Sequence, residues 1–133
     1  MKADTLIVQS FAALFVLFSL PAFFATEFFA EALRFSLSQP GAKMEFIAAY
    51  GGLILGAGIF LAVIAKEHAR IGLLAILFLV GGLFVGRLEG MIFDTGTTDV
   101  QITFLILEFL TLLIVGSRLK KPSQSTVSAS ASI

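Results

Sequence analysis

Cysteine and tryptophan are both absent from this chain of 133 residues, and tyrosine and histidine occur once each. Without cysteine there is no disulfide, no iron–sulfur cluster and no thiolate metal site. A single histidine, His68, leaves no basis for a histidine-rich metal centre, so no metal and no cofactor is expected. With tryptophan missing and Tyr50 alone, the usual interfacial aromatic belt is missing too. Charge is equally scarce: nine Lys and Arg balance nine Asp and Glu, 14% of the chain together, for a net charge of zero. That balance argues against a nucleic-acid partner. What remains is apolar, 58% of residues, with 15 phenylalanines. A soluble domain of this length needs far more polar surface, so the bilayer itself is the first partner the composition implies.

A bilayer core about 30 Å thick needs roughly 20 apolar residues in helical form. Four segments qualify, about 5–24, 46–65, 71–93 and 100–117. Short polar connections, Lys66 to Arg70 and Asp94 to Asp99, favour antiparallel neighbours. The expected fold is all-α, a polytopic up-down bundle of four transmembrane helices in residues 1–117. Residues 118–133, Ser/Thr/Ala-rich beyond Pro122, form an expected disordered tail. Lys2, an apolar run and Ala30-Glu31-Ala32 superficially resemble a cleaved signal. The run is long for a signal core and the Ala-x-Ala lies well beyond it, so a retained helix is expected.

Pro21 interrupts the first run and should kink it. Beyond it the first helix could continue to about Phe35. There Glu27, Glu31 and Arg34 share one face, while Phe24, Phe28, Ala32 and Phe35 share another. This amphipathic stretch is read as an interfacial helix, or else as a lid over the bundle mouth. Lys2, Lys66, Arg70, Arg118, Lys120 and Lys121 flank the spans on one side, against Arg34 and Lys43 on the other. Six bases against two place both termini in the cytoplasm. The six also suit anionic headgroups, and His68 among them reads as a solvated loop residue.

Two rows of small residues recur every four positions: Ala48, Gly52 and Gly56, then Gly82, Gly86 and Gly90. Such rows let helix backbones approach closely where lipid supplies no hydrophobic force between helices. Packing within one bundle is the first expectation, a dimer interface the second. Gly51 and Gly58 should make the second helix easily deformed. Gly56-Ala57-Gly58 lies in a lipid-spanning run with no preceding strand, so it is not a nucleotide fingerprint.

The misplaced charges are more informative. Arg87 lies six residues before the end of the third span, about 9 Å from its boundary at 1.5 Å per residue. Glu108 lies eight residues into the fourth, about 12 Å from the same boundary. Either charge alone costs about 2.5–3.5 kcal/mol to insert, so an Arg87–Glu108 ion pair inside the bundle is expected, either as a structural clasp that fixes helix register or as a site that binds a small polar or anionic ligand or relays protons. Glu45, Tyr50, Asp94, Gln101 and Thr111 converge on the same half, which predicts a polar pocket floored by Arg87 and Glu108 with these residues at its rim. Glu89 points elsewhere.

In chain order, Glu45, Tyr50-Gly51-Gly52-Leu53, Gly56-x-Gly58, Arg70, Gly86-Arg87, Asp94-x-Gly96 and Glu108 resemble the small bacterial four-helix membrane proteins catalogued as domain of unknown function 4345. The resemblance spans about Thr5 to Gly116, with a more distant, fold-level likeness to DoxX-type membrane proteins. It implies a bacterial inner-membrane location and no established activity. The function expected is non-enzymatic: a small accessory or ligand-binding membrane component with an outward-facing pocket, able to join a homo-oligomer or larger complex. A small-solute or proton transporter acting as a homo-oligomer is the alternative. An intramembrane enzyme ranks last, with Thr111 and Tyr50 its only candidate hydroxyls.

Overall fold

A computed structural model describes residues 2–93 and 97–121. Asp94 and the tail from Pro122 onward lie outside the described residues, and with them the expectations placed there. Helix α1 spans Lys2–Phe24 and the short α2 spans Thr26–Ala32. The second span is built in three pieces: α3 (Ala42–Phe46), a π-helical segment (Ile47–Leu53) and α4 (Ile54–Ile64). Helices α5 (Ala69–Phe93) and α6 (Asp99–Lys120) follow. Among the described residues there is no strand.

Four helical stretches, Lys2–Phe24, Ala42–Ile64, Ala69–Phe93 and Asp99–Lys120, are long and apolar enough to cross a membrane. At 22–25 residues each they reach about 33–38 Å, more than the hydrocarbon core requires. The protein is a multi-pass, all-α membrane bundle. Each span extends past its expected bounds at one or both ends, and residues 118–120, assigned to the tail on sequence, are the last turn of α6. Arg118 and Lys120 suit that turn because their charges face the negative end of the helix dipole. Lys121, before Pro122, is extended (φ −74°, ψ 125°), as a residue preceding proline is driven to be.

Two cores fix the up-down order. Val8 and Ala12 of α1 meet Leu61 at the end of α4, Leu73, Ile76 and Val80 early in α5, and Val115 late in α6. At the other end, Ala22 of α1, Phe29 and Ala30 of α2, Leu33 and Phe46 of α3 are buried with Tyr50, Val100 and Phe104 packed against them. The terminal end is tied further by polar contacts. Arg118 donates from Nε to Asp4 Oδ1 at 2.7 Å, with Nη2 at the same distance in the ion pair, joining α6 to the start of α1. Arg70 donates to the carbonyls of Leu119 (2.7 Å) and Lys121 (3.1 Å), covering acceptors that the end of α6 leaves open. Two of the six flanking bases thus have built partners.

The expected glycine rows do not pack within the bundle. A methyl at Gly52, Gly56, Gly82, Gly86 or Gly90 would meet nothing within 4 Å, and Ala48 is exposed. Close approach occurs instead at Gly51, Gly58 and Gly72, where a Cβ would meet the Phe23 ring (2.8 Å), Val16 Cγ2 (2.9 Å) and Val8 Cγ1 (2.6 Å). The face turned inward is set by which side of α4 meets α1, and a four-residue repeat of small side chains carries no information on that. At Gly58 the added atom would also lie 3.0 Å from the backbone at Ala12 O and Val16 N.

Gly58→Val therefore lowers the unfolding midpoint of the detergent-solubilised protein, by an overpacking cost of about 1–3 kcal/mol. Gly56→Val leaves the midpoint unchanged. Equal loss at both positions would contradict the α1–α4 contact at Gly58.

Candidate functional site

Charges and cavities gather at the end of the bundle opposite the termini. Arg87, late in α5, donates from Nε to Glu108 Oε1 of α6 at 2.7 Å. Its Cζ also stands 4.9 Å from the centroid of the Phe104 ring, one turn before Glu108. The guanidinium is thus held by a charge-assisted hydrogen bond and a cation–π contact from one helix. Glu108 is 7% exposed, and its second oxygen, Oε2, is buried without a hydrogen-bond partner among the described residues. A buried acceptor left open in this way needs explaining, since satisfied acceptors are the rule.

Two cavities meet at Arg87. The first, about 180 Å³, lies between α5 and α6 and is lined by Arg87, Gly90, Met91, Thr97, Gln101, Ile102 and Leu105. The second, about 160 Å³, is walled by Phe18, Leu33, Phe35, Tyr50, Val100 and Phe104, with Arg87 and Gln101 again. Glu108 lines neither, so the pocket floor expected of Arg87 and Glu108 together belongs to Arg87 alone.

Tyr50 reaches the second cavity from the π-helical segment. Each π turn holds an extra residue, and the Gly51-Gly52 pair lets the backbone widen there without side-chain crowding. The Tyr50 ring stacks on Phe46 (4.7 Å between centroids, 25° between planes) and meets the edges of Phe29 (6.4 Å) and Phe35 (5.3 Å).

The roof comes from the amphipathic stretch. Helix α1 stops at Phe24, three residues past Pro21, so the first helix does not continue unbroken to Phe35. The proline removes the amide that the Leu17 carbonyl would receive. The face of α2 that packs is Thr26, Phe29, Ala30 and then Leu33, whereas Phe24 and Phe28 are 85% and 75% exposed. At its end Arg34 adopts a left-handed conformation (φ 62°). The Phe35 amide then donates to Ala30 O (2.8 Å) and the Arg34 amide to Glu31 O (2.9 Å), a Schellman turn without glycine. That turn swings Phe35 back over Phe46 and Tyr50, placing Leu33 and Phe35 in the cavity wall. The end of the stretch walls the cavity, while Glu27, Glu31 and Arg34 stay exposed. Glu27 Oε1 accepts from Lys43 Nζ at 2.7 Å and straps α2 to α3.

Of the expected rim, Tyr50 and Gln101 are brought to the cavities. Glu45 is exposed and lines neither, and Thr111 donates to its own helix at Leu107 O (2.8 Å). Glu45 sits on the solvent side of the short α3, and Thr111 lies a turn beyond Glu108, too far along α6. Gln101 also starts α6, because its Oε1 accepts from the Thr98 amide (2.7 Å) and the Thr98 hydroxyl in a capping box. Thr98-Asp99-Val100-Gln101 carries that signature openly, as does the face shared by Gln101, Phe104 and Glu108. Phe18, Phe35 and Phe104 carry no such mark among 15 phenylalanines. Among the described residues no cluster of His, Cys, Asp or Glu could hold a metal ion. The hydroxyls that line the cavities belong to Tyr50 and Thr97.

The Lys43 ammonium holds the Glu27 carboxyl below its ordinary value, first through the hydrogen bond and then through charge. A lowered carboxyl contributes fully above its unfolded value, near 4.5, and is lost as pH falls through the lower folded one. The amide protection factors across α2, exchange rates corrected for their intrinsic pH dependence, are therefore flat from neutral pH down to that range and fall below it. Lys43→Met lowers protection at neutral pH and removes the acid dependence, and high salt weakens the strap in wild type.

No protein-family model matches this chain, and no curated protein or solved structure matches it either.

Proposed function

We propose that this protein is a small ligand-binding or accessory component of a bacterial inner membrane, related to the four-helix proteins of domain of unknown function 4345. Its ligand occupies the cavities around Arg87, which open to the outside of the cell. The observation that carries this reading is one guanidinium walling two cavities while its counter-charge lies behind it. A clasp serving register alone has no need of open space on the cation's other side. The six-to-two distribution of flanking bases supports cytoplasmic termini and an outward-facing roof. A homo-oligomeric transporter is the second reading, favoured by one feature: Ala48, Gly52, Gly82 and Gly86 lie exposed on the bundle's outer surface, where a second copy could approach closely.

Orientation is tested through the absence of cysteine. Ser38→Cys, in the segment between α2 and α3, reacts with an impermeant maleimide in intact cells, while Lys66→Cys reacts only after lysis. The reverse pattern overturns the assignment.

The pair is tested by substitution. Arg87→Ala or Glu108→Ala leaves one buried charge uncompensated and destabilises the fold by about 3–5 kcal/mol, read as lowered membrane abundance. The double variant recovers most of that abundance. Native mass spectrometry then separates binding from scaffolding: wild type carries a small molecule that the folded double variant lacks. Identical spectra would leave only the structural clasp.

A further inference from the structure

Among the described residues, Arg87 is the one charged side chain lining either cavity. Around it stand neutral donors, Gln101, Thr97 and the Tyr50 phenol, and apolar walls from Phe18, Phe35 and Phe104. A guanidinium is a planar fork of five N–H donors that matches a carboxylate, and its Nε here faces Glu108. A ligand entering from either cavity therefore meets a cation. The volumes, about 180 and 160 Å³, correspond to some five or six waters at about 30 Å³ each. That admits a small carboxylate with an apolar body, or the head of a single-chain fatty acid.

Charge balance then adds a condition. Arg87 and Glu108 together are neutral, and a bound anion would bring the site to a net charge of −1 inside apolar walls. Such a charge is expensive to leave unmatched in a bilayer. Glu108 holds the means of matching it, because Oε2 is buried and partnerless while Oε1 faces Arg87. A proton on Oε2 leaves Oε1 free to keep the Arg87 hydrogen bond. Among the described residues, Tyr50 is the other ionisable group facing the pair from a neighbouring element, and both charges act on it. Helix α1 contributes Phe18, and the α2 roof Leu33 and Phe35, none of them ionisable. Glu45, Glu89 and Asp99 are exposed, and Asp94 lies outside the described residues.

We propose that the site takes up a monocarboxylate together with one proton, the anion on Arg87 and the proton on Glu108 Oε2. This rests on the ligand-binding reading above. One anion and one proton enter, no bond other than O–H forms, and the site is neutral before and after.

The test uses the full chain in lipid nanodiscs, titrated calorimetrically with benzoate and separately with oleate, in buffers of differing ionisation heat. One proton is taken up per anion bound, and apparent affinity falls about tenfold per unit of rising pH while the probe stays ionised. Glu108→Gln leaves the Arg87 charge uncompensated and lowers the folded yield, but the folded fraction binds the anion with no proton uptake and no pH dependence. Arg87→Gln/Glu108→Gln, neutral and without the cation, loses binding. Benzoate or oleate alone behaving this way upholds the proposal and tells a water-borne acid from a membrane-borne one. Binding without proton uptake overturns the coupling while the ligand site stands. Uptake that persists in Glu108→Gln places the proton on the ligand and overturns it as well. If neither probe binds wild type, the carboxylate assignment fails, and the ligand-binding reading is then judged by native mass spectrometry alone.

Discussion

The hydrogen bond between Arg87 Nε and Glu108 Oε1 offsets the cost of carrying a charge inside each of the spans α5 and α6. Each residue alone would cost about 2.5–3.5 kcal/mol at the membrane centre. Helix α5 runs toward the lidded end and α6 returns from it, so two residues at similar depth on adjacent helices meet without bending either backbone. The contact also sets rotation: with Glu108 turned inward, Gln101 and Phe104 share its face, and both reach the cavities. One buried pair thereby places the cation, the ring beneath it and the residue that caps α6.

The rest of the bundle is held by close approach, since lipid tails are as apolar as the side chains they would replace. Where α1 crosses the second span, Gly51 and Gly58 admit Phe23 and Val16. Where it crosses α5, Gly72 admits Val8. The two ends differ in kind. At the terminal end, Arg118–Asp4 and the Arg70 contacts to the α6 carbonyls add polar ties to a filled core. At the other end the contacts are aromatic edges and stacks around Phe29, Phe46 and Tyr50, and space remains among them.

The spans and the Arg87–Glu108 contact were legible in the sequence because both depend on quantities a sequence carries directly: length of apolar run and depth along it. Facing direction was not legible. On a helix apolar on every side, hydrophobic periodicity vanishes, and Gly52 and Gly56 look as suited to packing as Gly51 and Gly58. The same uniformity hid which phenylalanines wall the cavity. The amphipathic reading of residues 24–35 assumed one unbroken helix. The break after Phe24 re-phased the stretch, and Phe29 with Leu33 became the buried face. Thr98 and Gln101 were readable as a capping box, a local signature independent of the environment.

The lid shows how these parts depend on one another. Helix α2 has seven residues, too few to be stable alone, so its position comes from tertiary contacts. Phe29 joins it to Phe18, Phe46 and Tyr50, Glu27 joins it to Lys43, and the turn at Arg34 sends Phe35 onto Tyr50. A non-glycine residue at that left-handed position is less favourable by about 1–2 kcal/mol, which the Phe35 contacts must offset. Tyr50 in turn is aimed by the π-helical segment, whose widening Gly51 and Gly52 permit. The roof is therefore built on the π-helical stretch of the bundle and over the Arg87 cation. A seven-residue element held in this way depends on each of these contacts, whereas the opposite end adds the Arg118–Asp4 pair and the Arg70 contacts to a filled core.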